Sequence, residues 1–181
     1  MESGAGKWGV SISPSNKVTI VELSKVWIEK AARLYAEGLL MEEPPGSTDT
    51  LEDLSDSLQL HLEIYLQQKK NRHIWLALEN DTVVGLLDFY HRPEELFIRF
   101  ICAIPPRRGT GTRLLHHLAN HGFSQQINVI RTKVSSLDLR AQQFYFRHLG
   151  FQKIGRRTED PGFDLYICKI RPQDLLKTTA T

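Results

Sequence analysis

Polar and apolar positions change their period several times along this 181-residue chain, and each change marks an element. Lys17–Leu23, KVTIVEL, alternates and predicts a first strand. After Ser24, a plausible N-cap, Trp27, Ala31, Leu34 and Tyr35 fall on one helical face, and that helix runs to about Gly38. MEEPPGSTDT, residues 41–50, breaks the pattern as a loop. Leu54, Leu58, Leu62, Tyr65 and Leu66 then stripe a second helix over Leu51–Lys70. His73–Leu78 and Thr82–Tyr90 read as a hairpin turning at Asn80-Asp81, and Leu96–Ile104 reads as a fourth strand. A helix with leucines at 114, 115 and 118 follows and ends near Gly122. Asn128–Val134 is strand five, and Ser136 or Asp138 caps a further helix running to Leu149. Phe151–Arg156 and Phe163–Ile170 close the chain as strands six and seven, turning at Asp160-Pro161-Gly162. Strand four, helix, strand five is a crossover, so those two strands should run parallel within an otherwise mostly antiparallel sheet.

The segment Ile101–Leu118, ICAIPPRRGTGTRLLHHL, carries the first chemical signal. A strand runs into a basic, glycine-containing turn that opens a helix, the order that presents unpaired N–H groups to a phosphate. Gly109 and Gly111 permit close approach, and Arg107 and Arg108 add full charges. A P-loop lysine is missing, and Leu114 stands where a dinucleotide fingerprint needs its third glycine. An acyl-CoA pyrophosphate loop and an ordinary glycine turn remain.

The second signal lies after strand five, in SLDLRAQQFYFRHLGF. Asp138, Ala141, Tyr145, Gly150 and Phe151 stand at the spacings of Asn-x-x-Ala-x-x-x-Tyr followed by Gly-Phe. Together with RRGTGTRLL and the strand pair HIWLALENDTVVGLLDF, this resembles the GNAT superfamily of N-acetyltransferases over residues 17–171. Pro106 departs from the family's Arg or Gln if Gly109 and Gly111 are the loop glycines, and Asp138 replaces an Asn. Counting from Arg108 instead puts Arg113 at the final small position.

The resemblance implies an α/β (α+β) domain with a seven-stranded mixed sheet, helices on both faces, and parallel strands four and five splayed apart. Residues 17–171 would form it, between a flexible tail at 1–16 and a second tail at 172–181. It implies acetyl-CoA as cosubstrate, with pantetheine along Cys102, Ala103 and Ile104. The pyrophosphate would lie on Arg107, Arg108, Gly109, Thr110, Gly111 and Thr112, and Asp138 would also border the cofactor. An oxyanion donor is expected in the backbone near Cys102. Tyr145 would be the general acid for the thiolate, against the alternative that it is a core tyrosine on its helix's apolar face. The general base is left among Asp88, His91, Glu94, Glu95 and water. The acceptor would be the primary amine of a small, cationic molecule or a peptide. A non-catalytic acyl-CoA-binding module of the same fold is the alternative function, and a nucleotide-binding protein a third.

Charge supports two surfaces of opposite sign. Residues 1–68 carry 5 basic and 11 acidic side chains, and residues 69–181 carry 18 and 10. Eight acids and no Lys or Arg fall within Glu37–Gln68, either as a cation-attracting surface or as a solvated helix face. His117 and His121 have the spacing of half a metal site without an apparent third ligand, so no metal is expected. Aromatics are not interleaved with basic residues as a nucleic-acid surface requires. No run approaches the ~20 apolar residues of a membrane span, and no apolar leader opens the chain, so a cytoplasmic protein is expected. A homodimer is compatible with all of this.

Overall fold

The computed structural model describes residues 17–42, 48–68, 70–160 and 163–178. The expected N-terminal tail and the turn at 161–162 lie outside these residues, as does most of the loop between the first two helices. The strands are β1 (Thr19–Glu22), β2 (Arg72–Glu79), β3 (Thr82–His91), β4 (Glu95–Ala103), β5 (Val129–Ser135), β6 (Gln152–Asp160) and β7 (Phe163–Ile170). They form one seven-stranded sheet in the order β1-β2-β3-β4-β5-β7-β6. Only β4 and β5 pair in parallel; every other neighbour is antiparallel.

Helices α1 (Ile28–Glu42) and α2 (Leu51–Gln67) cover one face. Their stripe of Ala31, Leu34, Tyr35 and Leu62 is buried against Ile74, Leu76, Leu86 and Phe100. Helix α3 (Thr110–Ser124) covers the other, with Leu114, Leu115 and Leu118 fully buried beside Trp75, Leu87 and Phe89. Helix α4 (Leu139–Gln142) also lies on this face and continues as a π-helical turn over Gln143–His148. The predicted helices are thus found, with two local changes. Ser24 precedes a 3₁₀ turn at Lys25–Trp27 rather than the α-helix itself. The predicted helix to Leu149 widens after one turn, where Leu149 N–H reaches Phe144 C=O, five residues back, at 3.0 Å.

The C-terminal residues differ from the expected loose tail. Pro172–Leu175 forms a short helix, α5, with Pro172 at its first position. Leu175 is fully buried in the α3 core, and His116 Nε2 lies 2.9 Å from Thr178 Oγ1. The sequence signal was there: proline at a helix start followed by two leucines that bury an apolar edge.

One close approach seats α3. A methyl added at Gly85 of β3 would lie 2.8 Å from Thr110 Cγ2 and 3.1 Å from Leu114 Cδ1. The first turn of α3 therefore rests directly on the β3 backbone, which fixes where its N-terminus points.

Candidate active site

Strands β4 and β5 pair through Glu95↔Val129, Leu96↔Ile130, Phe97↔Arg131 and Ile98↔Thr132, and no further. The buried Thr132 hydroxyl donates to Ile98 C=O at 3.3 Å across this last rung. Beyond it β4 stays on β3 up to Ala103, and β5 stays on β7 up to Ser135. The parallel pair therefore splays into a gap at the carboxyl ends of both strands. Parallel strands end at the same edge, so the segments that follow them meet there. A methyl added at Gly111 would lie 3.3 Å from Phe144 Cζ, and Thr112 Oγ1 lies 3.3 Å from His148 Nε2. The two sequence motifs, about thirty residues apart, thus face each other across the mouth of the gap.

The loop after β4 is shaped by its dihedrals. Gly109 has φ +74°, in the left-handed region, and caps α3 without any side-chain hydrogen bond. Arg107 also has a positive φ of 66°. Such positive-φ turns before a helix direct successive N–H groups toward one point, which suits an anion. Arg107 and Arg108 are exposed, whereas Thr110 and Thr112 are buried. The arginines are free to reach a ligand in solvent, while the threonines anchor the helix start.

The β4 backbone corrects one expectation. Ile104 N–H donates to Val84 C=O at 3.0 Å. Antiparallel pairing alternates, so Cys102, which is paired with Leu86, also turns its N–H and C=O toward β3. Ile101 and Ala103 are the residues whose backbone groups face the gap. Of Cys102, Ala103 and Ile104, only Ala103 is therefore oriented to pair with an arm lying there. The Cys102 side chain points to the α1 face, with Sγ 3.7 Å from Leu34 C=O.

Asp138 proves to be a helix cap: its Oδ1 accepts from Ala141 N–H at 2.8 Å, so its first partner is its own helix. Tyr145 lies on the π-helical turn, buried at 5% exposure, with its ring 5.3 Å from Phe144 and 5.1 Å from Phe151. Phe151 N–H also donates to Tyr145 C=O at 2.8 Å. These contacts fix the ring's direction. A π-helical turn is an uncommon way to carry a side chain and recurs at functional sites.

The candidate bases separate. His91, Glu94 and Glu95 stand at the start of β4 or just before it, the end where β4 and β5 remain paired. Glu95 there binds Arg92 at 2.6 Å and Arg131 at 3.1 Å. Asp88 lies under α1 and is completely buried. Its Oδ1 accepts from Arg72 Nε at 2.9 Å, and its Oδ2 accepts from Arg72 Nη2 at 2.7 Å and from Tyr35 O–H at 3.0 Å. A carboxylate held by a bidentate arginine and a phenol is a structural anchor rather than a free proton acceptor. Burial and then the Asp88 charge push the Tyr35 phenol well above its ordinary pKa, so it stays a donor.

Sequence reasoning missed the cavity above this anchor. Tyr35, Leu39, Ser57, Leu58, His61 and Arg99 line about 260 Å³ between α1, α2 and β4. Arg99 is placed by a bulge: Asp88 pairs with Phe100 and Phe89 with Ile98, leaving Arg99 as the extra residue. A strand bulge leaves no reliable mark in sequence.

His117 and His121 join an aromatic cluster. His121 packs 5.4 Å from Trp75 and 5.5 Å from His91 between ring centroids. Among the described residues, no group of three or more His, Cys, Asp or Glu side chains is arranged to hold a metal ion. Nor is any described helix long and apolar enough to cross a membrane.

The family model described as "Acetyltransferase (GNAT) family" matches residues 34–151, which span both motifs and the splayed strands. The chain belongs to the GNAT family of acetyltransferases. It is thus an acyltransferase, and the family's acyl donor is acetyl-CoA. Comparison with curated proteins finds no match. Solved structures share the fold. A protein from Desulfovibrio desulfuricans assigned to the GNAT family is similar at TM-score 0.71 and 18% identity, covering 86% of this chain and 99% of that one. The spermidine N-acetyltransferase of Vibrio cholerae, solved with CoA and spermine, gives TM-score 0.63 at 15% identity, covering 88% and 98%. The ribosomal-protein-S18-alanine N-acetyltransferase of Escherichia coli gives TM-score 0.62 at 17% identity, covering 86% and 94%. The last two are named for a polyamine and a protein acceptor, so the shared fold leaves the acceptor to this chain's own residues.

Proposed function

We propose that this GNAT protein transfers the acetyl group of acetyl-CoA to the primary amine of a small molecule. The carrying observation is the gap beyond Ile98 and Thr132, with the uncapped start of α3 at its mouth and the Tyr145 turn beside it. Pantetheine pairs with the gap-facing backbone of Ile101 and Ala103, a form of strand addition. The pyrophosphate takes the N–H groups of residues 109–112 and the charges of Arg107 and Arg108.

The reaction needs only positioning and proton transfer. The neutral amine nitrogen attacks the thioester carbon, forming the C–N bond and a tetrahedral oxyanion. A gap-facing N–H of β4, on Ile101 or Ala103, stabilises that oxygen. The C–S bond then breaks, and Tyr145 O–H donates its proton to the leaving thiolate. Asp88 is committed to Arg72 and Tyr35, and the other acids stand at the far end of β4. The amine's proton therefore leaves through water. Exposed Glu52, Asp53 and Asp56 on α2 favour arrival of the acceptor's ammonium end.

Release of free CoA from acetyl-CoA across a panel of amines tests this reading. Amine-dependent release is expected. Tight CoA binding with no release from any amine would make the chain an acyl-CoA-binding module instead.

A further inference from the structure

Resting on the acetyltransferase reading, we infer that the acceptor carries a carboxylate as well as its amine, and that Arg99 receives it in the cavity between α1, α2 and β4. The argument is one of charge. Asp88, beneath the cavity, is already matched by Arg72 through two hydrogen bonds at 2.7 and 2.9 Å. Arg99 is a second cation over the same carboxylate. Its Nη1 stands 3.5 Å from Asp88 Oδ2, too far for a strong hydrogen bond, and its side chain is 43% exposed. One carboxylate thus faces two guanidinium groups, and the surplus positive charge lies at the cavity wall.

The remaining polar lining agrees. Arg72 Nη1 stands 2.7 Å from His61 Nε2. A guanidinium can only donate, so that nitrogen accepts and the ring proton sits on Nδ1. Burial, then Arg72 and Arg99, hold the His61 pKa below its ordinary value, which keeps the ring neutral. His61 Nδ1–H, the Ser57 hydroxyl and Arg99 then offer donors to the cavity, and no lining side chain is an acid. Tyr35 has spent its hydroxyl on Asp88. A diamine or polyamine would place a second ammonium against Arg99. A carboxylate finds a bidentate partner there, and Leu39 and Leu58 accept a short apolar stem.

The occupant that fits is a small free amino acid: its ammonium end is drawn by the acidic α2 surface, and its carboxylate lies on Arg99. The bulge matters because a regular strand would not set Arg99 as an unpaired residue between Ile98 and Phe100. Arg99 is in this sense a specificity-determining residue on the strand whose next residues border the cofactor gap.

The test uses the full chain with acetyl-CoA and reads free thiol. Each amino acid is assayed beside its carboxamide, its decarboxylated amine, and a short peptide with a glutamate side chain. The expected result is a kcat/KM about 10- to 100-fold higher for the acid than for its carboxamide, the range of one charge-assisted contact. Arg99→Gln should bring that ratio close to one, and Arg99→Lys should keep part of it. A carboxamide or decarboxylated amine that matches its acid overturns the inference, as does a ratio unchanged in Arg99→Gln. Peptides outcompeting free amino acids would overturn the small-molecule assignment. If no amine is turned over, the acetyltransferase reading fails, and the cavity is judged separately. The His61 imidazole NMR signals are then titrated with the same carboxylates: a shift lost in Arg99→Gln supports the anion site, and no shift overturns it.

Discussion

The proposed cofactor half and the proposed acceptor half of this molecule are built by different means. On the cofactor side the working groups are main-chain N–H and C=O, set by where two strands part, where a helix starts, and a glycine with φ +74°. On the acceptor side they are side chains: Tyr35 from α1, His61 from α2, Arg72 from β2, Asp88 from β3 and Arg99 from β4. The first kind of site tolerates many sequences, provided the backbone path is kept. The second depends on every charge being matched.

The largest effect should therefore come from the acceptor side, and as stability. Asp88 is fully buried, and the Arg72 side chain is only 13% exposed. Arg72→Met leaves a buried carboxylate with Tyr35 and the distant Arg99, and should cost about 3–5 kcal/mol in chemical denaturation. The paired change Arg72→Met/Asp88→Leu should recover much of that loss, because no buried charge is left alone. A loss under ~1 kcal/mol in Arg72→Met would mean that the network is dispensable, and the contrast between the two halves would collapse.

The same contrast decides what could be read in the sequence. The order of elements along the chain, the parallel pair and the two sequence motifs were legible, because they depend on local signals: period, Gly109 and Gly111, and the Ala141–Tyr145–Gly150 spacing. The direction of the β4 backbone was not, since Cys102 and Ala103 look alike until Ile104 is seen bonded to Val84. Asp88 was legible as an acid near the site but not as an anchor. Its partners Tyr35 and Arg72 lie 53 and 16 residues away in sequence. Arg99 was invisible because a bulge, not a motif, turns it out.

Two changes on the cofactor side sharpen the comparison. Tyr145 is the proposed general acid on a side otherwise read as main-chain, so Tyr145→Phe should leave fold and CoA affinity intact and lower kcat about 10²–10³-fold. An equally active variant would return Tyr145 to a packing role beside Phe144 and Phe151. Arg108→Ala should weaken CoA by about 1–3 kcal/mol in a binding titration, the range of one charged contact. The N–H groups at the start of α3 keep the rest. Complete loss of binding in that variant would mean that side chains, and not the main chain, carry the pyrophosphate.

The smallest effect concerns the far end of α3, which belongs to neither half. His121 packs against Trp75, Phe89, His73 and His91, and His117 packs against Trp75. His73 in turn lies 3.7 Å from Glu22, the one acid facing this group among these contacts. Burial holds both His117 and His121 below the ordinary imidazole value of 6.5, and His91, His73 and His117 push His121 further down. In the unfolded chain these rings take up protons near pH 6.5, whereas in the fold they do so only at lower pH. Both states are neutral above 6.5, so the full contribution to stability is present there. As pH falls through the window below 6.5, the unfolded chain binds protons first and stability declines, until the folded rings also titrate. Thermal unfolding between pH 7.5 and 5.5 should show this decline, and His121→Phe, which keeps the aromatic packing, should flatten it. CoA should raise stability at every pH in this range by mass action on the folded state, and leave the slope of the decline unchanged. A pH profile identical in His121→Phe and the parent would place the titrating groups elsewhere.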